Sequence, residues 1–295
     1  MTAIIIDGKK VSKEIKSELR EKVEALKVKD VTPGLAAVLV GDNPASMTYV
    51  RSKAKACEKI GIYSEVIRRP EETTFDEVKN IVLELNKRDE IDGILVQSPL
   101  PKHIDELAIT LLIDPRKDVD GFHPHNVGMT LIGSPTFRSC TPFGIMELMR
   151  RYEIDPSGRE VVILGRSNIV GKPMASMLIQ KQAGANATVT VCHSRTKNLG
   201  EICRRADILI AAMGVPEFVK ADMVKEGAVV IDVGVNRVDD STVEKGYRLV
   251  GDVDFEACEE KASYITPVPG GVGPMTIAML LTNTVKAAEQ RAPGA

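Results

Sequence analysis

Tyr49 and Lys53 stand four residues apart in the first half of the chain and could form an acid/base pair. Residues 45–60 have a helical pattern and are followed by Gly61, so both side chains are expected on one helix face. Lys53 lies in RSKAKACEK, where several cations follow one another. A solvated basic helix face is therefore the alternative interpretation of this lysine.

Two further polar residues lie in segments that should be loops. Gln97 directly follows a predicted strand over 91–96, and Pro99 and Pro101 stiffen the chain after it. Asp120 lies in KDVDGFHP, where the alternative is an ordinary Asp-Gly turn. An amide and a carboxylate in such positions are candidates for binding a polar ligand.

The segment VVILGRSNIVGKP, residues 161–173, has the order expected of a nucleotide-binding turn. An apolar strand leads to Gly165, a second glycine is Gly171, and a helix should begin near Pro173. Backbone N–H groups at such a helix start attract phosphate. Because the pattern is GxSxxxG and not GxGxxG, a simple strand-to-helix turn remains the alternative.

The end of the next strand indicates which dinucleotide would bind. After a strand ending at Cys192, the chain carries Ser194 and Arg195 where an NAD enzyme usually places an acidic residue. Together with Arg166 they could hold a 2'-phosphate, which favours NADP over NAD. A solvated loop is the alternative for these charges. A later strand ends in DVGVN, residues 232–236, at the sheet edge where such folds bind ligands.

Short β-branched segments alternate with amphipathic ones along the whole chain, which predicts an α/β fold with mostly parallel sheets. Residues 114–141 are rich in Pro, Gly and Asp and are either a long functional loop or a domain boundary. The predicted strands are 3–6, 35–40, 62–67, 91–96, 161–164, 187–192, 207–211 and 228–232, and the last predicted helix covers 276–290.

Composition limits the possible functions. The length of 295 residues predicts about two domains, and 43% hydrophobic with 27% charged residues is typical of a folded protein. A formal charge of −2, with no Trp, gives little reason to bind nucleic acid. The start MTAIIIDGKK is too polar for a signal peptide, and no apolar run approaches a membrane span. We therefore expect a cytoplasmic protein with no membrane partner.

Cysteine and histidine spacing gives no support for a metal site. His123 and His125 form an HxH pair without a nearby third ligand, so we interpret them as loop residues. The number of cysteines is odd, and they are widely separated and form no CxxC pair. This spacing predicts reduced and mostly buried thiols. They are Cys57, Cys140, Cys192, Cys203 and Cys258.

Taken together, these segments resemble the bifunctional methylenetetrahydrofolate dehydrogenase/cyclohydrolase family. The resemblance covers nearly the whole chain, and the matching segments occur in the family's order. They are YVRSKAKACEKIGI (49–62), DGILVQSPLP (92–101), DPRKDVDGFHP (114–124), GRSNIVGKP (165–173) and ITPVPGGVGPMT (265–276).

The resemblance implies oxidation of 5,10-methylenetetrahydrofolate with NADP+, followed by hydrolysis of the methenyl product to 10-formyltetrahydrofolate. It implies that Lys53 is the key catalytic group, that Tyr49 positions it and packs on the folate, and that Gln97 hydrogen-bonds it. Asp120 would hold the amino and ring N–H groups of the pterin. Since a protonated lysine would be repelled by the cationic product, Lys53 suits a general base.

The resemblance also implies the remaining contacts. Folate would touch Tyr49, Gln97, Pro99, Leu100, Asp120, Pro269, Gly270 and Gly271. NADP would touch Gly165, Arg166, Ser167, Ile169, Val170, Ser194, Arg195, Val235 and Gly273.

A family member would have two α/β domains. A folate-binding catalytic domain is expected over 1–149 plus 267–295, with the C-terminal helix returning to it. A Rossmann-like NADP-binding domain is expected over 150–266, and a homodimer is the family expectation. The alternative of an NADP dehydrogenase for another small substrate, with Lys53 as the general acid for a carbonyl, leaves Gln97, Asp120 and PGGVGP together unexplained. A nucleotide-binding regulatory protein with a catalytically inactive first domain would be expected to have lost one of four side chains, yet all are present: Tyr49, Lys53, Gln97 and Asp120.

Overall fold

A computed structural model describes residues 2–244 and 246–292. Strands and helices alternate over most of these residues, as the sequence pattern predicts, except that three helices lie between residues 106 and 151 and three strands follow one another between residues 229 and 250. The strands are β1 (Ile4–Ile5), β2 (Gly34–Val40), β3 (Tyr63–Arg69), β4 (Gly93–Val96), β5 (Glu160–Leu164), β6 (Thr188–Cys192), β7 (Ile208–Ala211), β8 (Val229–Asp232), β9 (Asn236–Asp239), β10 (Tyr247–Val250) and β11 (Tyr264–Ile265). The helices are α1 (Gly8–Lys27), α2 (Pro44–Ile60), α3 (Phe75–Lys87), α4 (Glu106–Thr110), α5 (Pro124–Leu131), α6 (Cys140–Arg151), α7 (Gly171–Leu178), α8 (Leu199–Cys203), α9 (Phe255–Glu259) and α10 (Val272–Arg291).

The chain divides into two compact units. One comprises the first residues through Ser12 together with Thr141–Thr276, and the other comprises Lys13–Cys140 together with the chain from Ile277 on. The predicted two-domain α/β architecture is confirmed, and so is the return of the C-terminal helix, from Ile277 on, to the unit that contains Lys13–Cys140. The loosely patterned segment 114–141 includes helix α5 and ends where the units divide.

The unit that contains Thr141–Thr276 is built on a six-stranded sheet in the order β1-β11-β8-β7-β5-β6. All neighbouring strands in it are parallel, which is the arrangement of a Rossmann-like fold. Its buried strands are continuous apolar runs, such as Val161–Leu164. Strands β9 and β10 form a separate antiparallel hairpin that the sequence pattern did not predict.

The unit that contains Lys13–Cys140 has a three-stranded parallel sheet in the order β3-β2-β4. All seven residues of β2 are buried, so this strand lies in the core between its two neighbours. Helix α3 begins with a capping box in which the Thr74 and Glu77 side chains each accept a hydrogen bond from the other residue's backbone N–H. The sheet places the carboxyl ends of β2 and β4 side by side, and Gln97 follows β4 there.

The compact units are a different division from the predicted functional domains. Ile4 and Ile5 pair with Tyr264 and Ile265, so the first strand belongs to the six-stranded sheet. Helix α10 begins at Val272 and not at residue 276, since a proline such as Pro274 is tolerated in the first turn. The functional domains therefore stay a prediction, with a folate-binding domain over 1–149 plus 267–295 and an NADP-binding domain over 150–266.

Candidate active site

Helix α2 places Tyr49 and Lys53 on one face. The helix begins because the Asn43 side chain accepts hydrogen bonds from the backbone N–H groups of Ala45 and Ser46, at 3.0 and 3.1 Å. With a spacing of one helical turn, the Lys53 Nζ atom lies 4.7 Å from the centroid of the Tyr49 ring. An ammonium at this distance is attracted by the negative face of the ring.

Lys53 is buried, with 4% of its surface exposed, so it is not part of a solvated basic face. Its Nζ donates a hydrogen bond to the Gln97 Oε1 atom at 3.1 Å. The Gln97 amide is itself oriented, because its Nε2 donates to the Ser98 carbonyl at 2.7 Å and its backbone N–H donates to the Val38 carbonyl. The amine of Lys53 therefore has a fixed position between the phenol ring and the amide.

The loop after Gln97 is fastened by Glu106. The Glu106 carboxylate accepts hydrogen bonds from the Leu100 N–H at 2.7 Å and from the Ser98 hydroxyl at 3.3 Å. The Ser98–Pro99 peptide bond is cis. Pro99 is exposed and Leu100 is half-buried, so both residues present apolar surface directly beside Gln97.

Asp120 lies in a loop whose backbone is fixed by a neighbouring carboxylate. Asp118 is 1% exposed and accepts hydrogen bonds from the N–H groups of Phe122 and His123, at 3.2 and 2.8 Å. Burial raises the pKa of Asp120, while the positive charge of Lys53 and a hydrogen bond with Cys140 act in the opposite direction. The carboxyl of Asp120 is thus an electrostatic neighbour of Lys53.

Two residues that the sequence interpretation did not select hold the Asp120 loop from the other side. The Asn283 Nδ2 atom donates to the carbonyls of Val119 and Arg138, at 2.8 and 3.0 Å. The Cys140 thiol also donates to the Val119 carbonyl, at 3.3 Å. Burial raises the pKa of Cys140 well above its usual value, so the thiol stays neutral. The sequence signal that could have indicated this contact is Asn283, a single amide within the apolar run of the last helix.

The predicted nucleotide-binding turn connects β5 to α7. At Gly165, where φ is +122°, an added Cβ would lie 2.2 Å from the Ala212 carbonyl oxygen. At Gly171, the first residue of α7, a Cβ would lie 2.1 Å from the Gly165 carbonyl oxygen. The Ser167 hydroxyl accepts a hydrogen bond from the Val170 N–H at 3.1 Å. Both glycines are therefore required by close backbone contacts, as in a turn that approaches a phosphate.

Polar side chains surround this turn at the carboxyl ends of the strands. Arg166, Ser194 and Arg195 are exposed, and the loop after β6 is ordered by a hydrogen bond from the Arg195 N–H to His193 Nδ1 at 3.1 Å. The guanidinium and hydroxyl groups are therefore available to a phosphate. Among the predicted apolar contacts, Ile169 and Val235 are exposed and Val170 is buried.

The segment PGGVGP closes against the start of helix α1 in the same unit. The Lys9 N–H donates to the Gly270 carbonyl at 3.0 Å, and a Cβ on Gly271 would lie 2.7 Å from the Pro267 carbonyl oxygen. The Val268–Pro269 peptide bond is cis. Gly273, which precedes the predicted last helix 276–290, lies in the first turn of α10. Gly270, Gly271 and Val272 are buried, whereas Pro269 and Gly273 are exposed, so the segment is tightly packed with its surface at these two residues.

The remaining sequence motifs have structural explanations. His123 caps helix α5, since its Nδ1 atom accepts a hydrogen bond from the His125 N–H at 3.0 Å. The cysteines are free and buried, as predicted.

Within residues 2–244 and 246–292, no three His, Cys, Asp or Glu side chains are grouped so that they could hold a metal ion. Across the same residues, none of the helices combines the length and apolarity needed to span a bilayer.

Comparison with known proteins identifies both halves of the chain. Residues 6–120 match the catalytic domain of the tetrahydrofolate dehydrogenase/cyclohydrolase family. Residues 139–292 match the NAD(P)-binding domain of the same family. The two matches follow one another without overlap and account for most of the chain.

Full-length relatives show the same relationship. The bifunctional protein FolD of Chlorobium chlorochromatii is 59% identical over 286 residues, covering 96% of this chain and 97% of its own. The FolD crystal structure from Campylobacter jejuni is 53% identical with a TM-score of 0.92, covering 98% and 99% of the two chains. The Trypanosoma brucei enzyme, complexed with NADP and an inhibitor, is 41% identical with a TM-score of 0.94 over the full length of both chains. Agreement at this level over both domains shows that the chain belongs to the tetrahydrofolate dehydrogenase/cyclohydrolase family.

Proposed function

We propose that this chain oxidises 5,10-methylenetetrahydrofolate with NADP+ and hydrolyses the methenyl product to 10-formyltetrahydrofolate, with Lys53 at the centre of the chemistry. The observation that supports this most strongly is the buried amine of Lys53, hydrogen-bonded to Gln97 at 3.1 Å and facing the Tyr49 ring at 4.7 Å. A lysine so constrained has lost the freedom of a surface side chain. It is a reactive group held in place for a substrate.

The first reaction makes few chemical demands on the protein. NADP+, when bound, supplies the hydride acceptor. Loss of a hydride from the methylene carbon leaves a methenyl cation without releasing a proton from that carbon, so no general base is required. Tyr49 and Leu100 offer apolar surface that can hold the folate and exclude water. Positioning is therefore the main contribution of these side chains to oxidation.

The second reaction does require a base. Water adds to the methenyl carbon, and the proton that it loses must be accepted as the new C–O bond forms. The amine of Lys53, in its unprotonated form, can accept that proton. The Gln97 oxygen accepts an N–H of Lys53 and so keeps the amine in one orientation. The remaining hydroxyl proton then leaves the oxygen and N5 gains a proton as the carbon–N5 bond breaks and the C=O bond forms, which gives the 10-formyl product with the net release of one proton.

Asp120 binds the donor edge of the pterin in this proposal. A carboxylate can accept two parallel N–H hydrogen bonds from an amino group and a ring nitrogen. The loop that carries Asp120 is fixed by Asp118 on one side and by Asn283 on the other. The backbone of Pro269, Gly270 and Gly271 is proposed to contribute further folate contacts.

The dinucleotide is proposed to bind over the glycine turn. The close approach of Gly165 and Gly171 leaves the backbone near the start of α7 free of side chains, which suits a pyrophosphate. Ser194 and Arg195, with Arg166, would hold the 2'-phosphate that distinguishes NADP from NAD. Ser167, Ile169, Val170, Val235 and Gly273 complete the proposed contacts. Residues 150–266 thus form the proposed cofactor domain, and 1–149 plus 267–295 the proposed folate domain.

The cofactor choice can be measured directly. We expect the purified protein to reduce NADP+ in the presence of methylenetetrahydrofolate and to prefer it to NAD+. Arg195→Ala should lower the kcat/KM ratio of NADP+ over NAD+ by about tenfold, the size expected for losing one charged hydrogen bond. Lys181→Ala, an exposed cation outside the proposed site, is the matched control. Absence of cofactor reduction by the wild-type protein would contradict the proposed function, and an unchanged ratio in Arg195→Ala would contradict the role of that arginine.

The chain is also proposed to act as a cytoplasmic homodimer that supplies formyl groups for purine and amino-acid biosynthesis. Strand β6 lies at one edge of the six-stranded sheet and is five residues long, whereas β1 at the other edge has two. Val191 on β6 is 38% exposed, and Ile179 at the end of α7 is 52% exposed. An unpaired strand edge with exposed apolar side chains is suited to pairing with a second copy.

A charged side chain on this edge should separate the subunits. We expect the wild-type protein to have twice the monomer mass in light scattering after gel filtration. Val191→Lys should shift the equilibrium toward monomer, because it places a cation in the proposed apolar contact. Val28→Lys, at an 87% exposed valine elsewhere, should leave the mass unchanged. A dimer of unaltered stability in Val191→Lys would show that β6 is not the interface.

A further inference from the structure

The carboxylate of Asp252 holds the loop that follows strand β7. It accepts hydrogen bonds from three successive backbone N–H groups, those of Met213, Gly214 and Val215, at 2.5, 2.9 and 3.0 Å. A fourth hydrogen bond comes from the Asn236 Nδ2 atom at 2.9 Å. Asp252 is completely buried, so water does not compete for these donors. One side chain therefore accepts the backbone hydrogen bonds of three consecutive residues in this loop.

The backbone of this loop has the geometry of an anion-binding site. Gly214 has a φ of +68°, and successive N–H groups around such a residue converge to form an anion-binding concavity. Here the concavity is filled by Asp252, and its donors are not free for a phosphate. The carboxylate thus takes the place of an external anion and fixes the backbone of residues 213–215.

A second buried carboxylate fixes Asp252 itself. Asp232, at the end of β8, accepts hydrogen bonds from the N–H groups of Asp252, Val253 and Gly234, each at 2.9 Å. Burial raises the pKa of Asp232 to about 7, although the three donors favour its charged form. Since burying a carboxylate is costly, its retention here depends on these compensating hydrogen bonds. The loops after β7 and β8 are consequently joined through the two aspartates.

Both loops lie where a parallel sheet of this kind binds a dinucleotide. They follow the carboxyl ends of neighbouring strands β7 and β8. The loop after β7 begins beside the glycine turn, because Gly165 is in close contact with the Ala212 carbonyl. The loop after β8 carries Val235, which is 60% exposed and belongs to the proposed cofactor contacts. Neither aspartate is itself exposed to a ligand.

We propose that Asp252 is a positioning residue for the NADP site, which acts by fixing the Met213–Val215 loop while Asp232 fixes Asp252. The proposal rests on the proposed NADP-dependent activity. Loss of Asp252 should affect the two reactions differently, because hydrolysis of the methenyl group needs no dinucleotide. Damage confined to the loops after β7 and β8 should weaken cofactor use and spare hydrolysis. General destabilisation would reduce both activities together.

The test is Asp252→Asn, with initial rates measured against NADP+ concentration and methenyl hydrolysis measured separately without NADP+. The asparagine keeps the shape but turns an N–H₂ group toward backbone N–H donors. We expect the KM for NADP+ to rise at least about tenfold, which corresponds to about 1.4 kcal/mol. Hydrolysis should stay within about twofold of wild type. Asp254→Asn, two residues away and paired with Lys220 at 2.9 Å, is the matched control with an unchanged KM.

Asn236→Ala gives a second, milder variant, because it removes one of the four hydrogen bonds of Asp252. It should raise the KM for NADP+ about threefold with the same sparing of hydrolysis, and it decides the matter if Asp252→Asn does not fold. An unchanged KM for NADP+, or a parallel fall in hydrolysis, would overturn the positioning role. A wild-type protein that cannot reduce NADP+ would overturn the proposed function and this proposal with it.

Discussion

Replacing Lys53 with methionine should abolish methenyl hydrolysis while oxidation of methylenetetrahydrofolate continues. The substitution removes the amine that accepts the proton of the attacking water, and a general base contributes about 10²–10⁴-fold to such a step. Hydride loss releases no proton from the reacting carbon, so oxidation does not need the amine. Methionine fills a similar buried volume at this 4% exposed position and should preserve folate binding. The measurement is the decay of methenyltetrahydrofolate absorbance, beside a separate assay of NADPH formation.

Lys55→Met is the matched control for this experiment. Lys55 lies on the same helix but is exposed, so its loss should leave both activities near those of the wild type. Hydrolysis at the wild-type rate in Lys53→Met would show that another group is the base. Equal loss of oxidation and hydrolysis would instead indicate that Lys53 acts mainly in binding the substrate.

The substitution Asp120→Asn should raise the KM for folate about 10–100-fold in both reactions. An amide offers one acceptor where the carboxylate offers two, and it turns an N–H₂ group toward the donors of the pterin. Loss of a charged hydrogen bond costs about 1.5–3 kcal/mol, and each 1.4 kcal/mol is a factor of ten in affinity. The two reactions should be affected alike because both are proposed to bind folate through the same carboxylate.

The pH dependence gives an independent test of the role of Asp120. Burial raises the pKa of its carboxyl, so the wild-type protein should lose folate affinity on acidification at a higher pH than an ordinary aspartate would. The KM for folate should rise on acidification because the charged carboxylate of Asp120 is proposed to bind the pterin, and its protonation removes a hydrogen-bond acceptor. Asp120→Asn should abolish this acidic increase in KM. Asp114→Asn, in the same loop but paired with Arg116 at 2.6 Å, should retain it. A wild-type profile in Asp120→Asn would contradict the assignment.

Local sequence signals were sufficient for most of the fold. The apolar runs that became β2, β5, β7 and β8 were predicted to within one or two residues, because buried parallel strands are continuously hydrophobic. The helix of Tyr49 and Lys53 was predicted from the pattern over 45–60 and from Gly61, which is the left-handed C-cap in the structure with a φ of +83°. Elements with strong local determinants are those that a single sequence can locate.

Features that depend on contacts distant in sequence could not be predicted. Whether Lys53 is buried depends on Gln97, 44 residues later, and the surrounding RSKAKACEK pattern favours a solvated face. Asn283 supports the Asp120 loop from 164 residues beyond Val119. The hairpin of β9 and β10 was missed because NRVD and YRLV are short and mixed in polarity. Each of these is fixed by tertiary packing and not by local propensity.

The central claim is that one chain performs both reactions in sequence, and a product balance tests it most directly. The purified wild-type protein is mixed with methylenetetrahydrofolate and NADP+, and NADPH, methenyltetrahydrofolate and 10-formyltetrahydrofolate are quantified over time. We predict that NADPH will equal the sum of the two folate products and that 10-formyltetrahydrofolate will become the main one. NADPH formation with methenyltetrahydrofolate decaying only at its rate in buffer would contradict the claim, and so would the absence of NADPH.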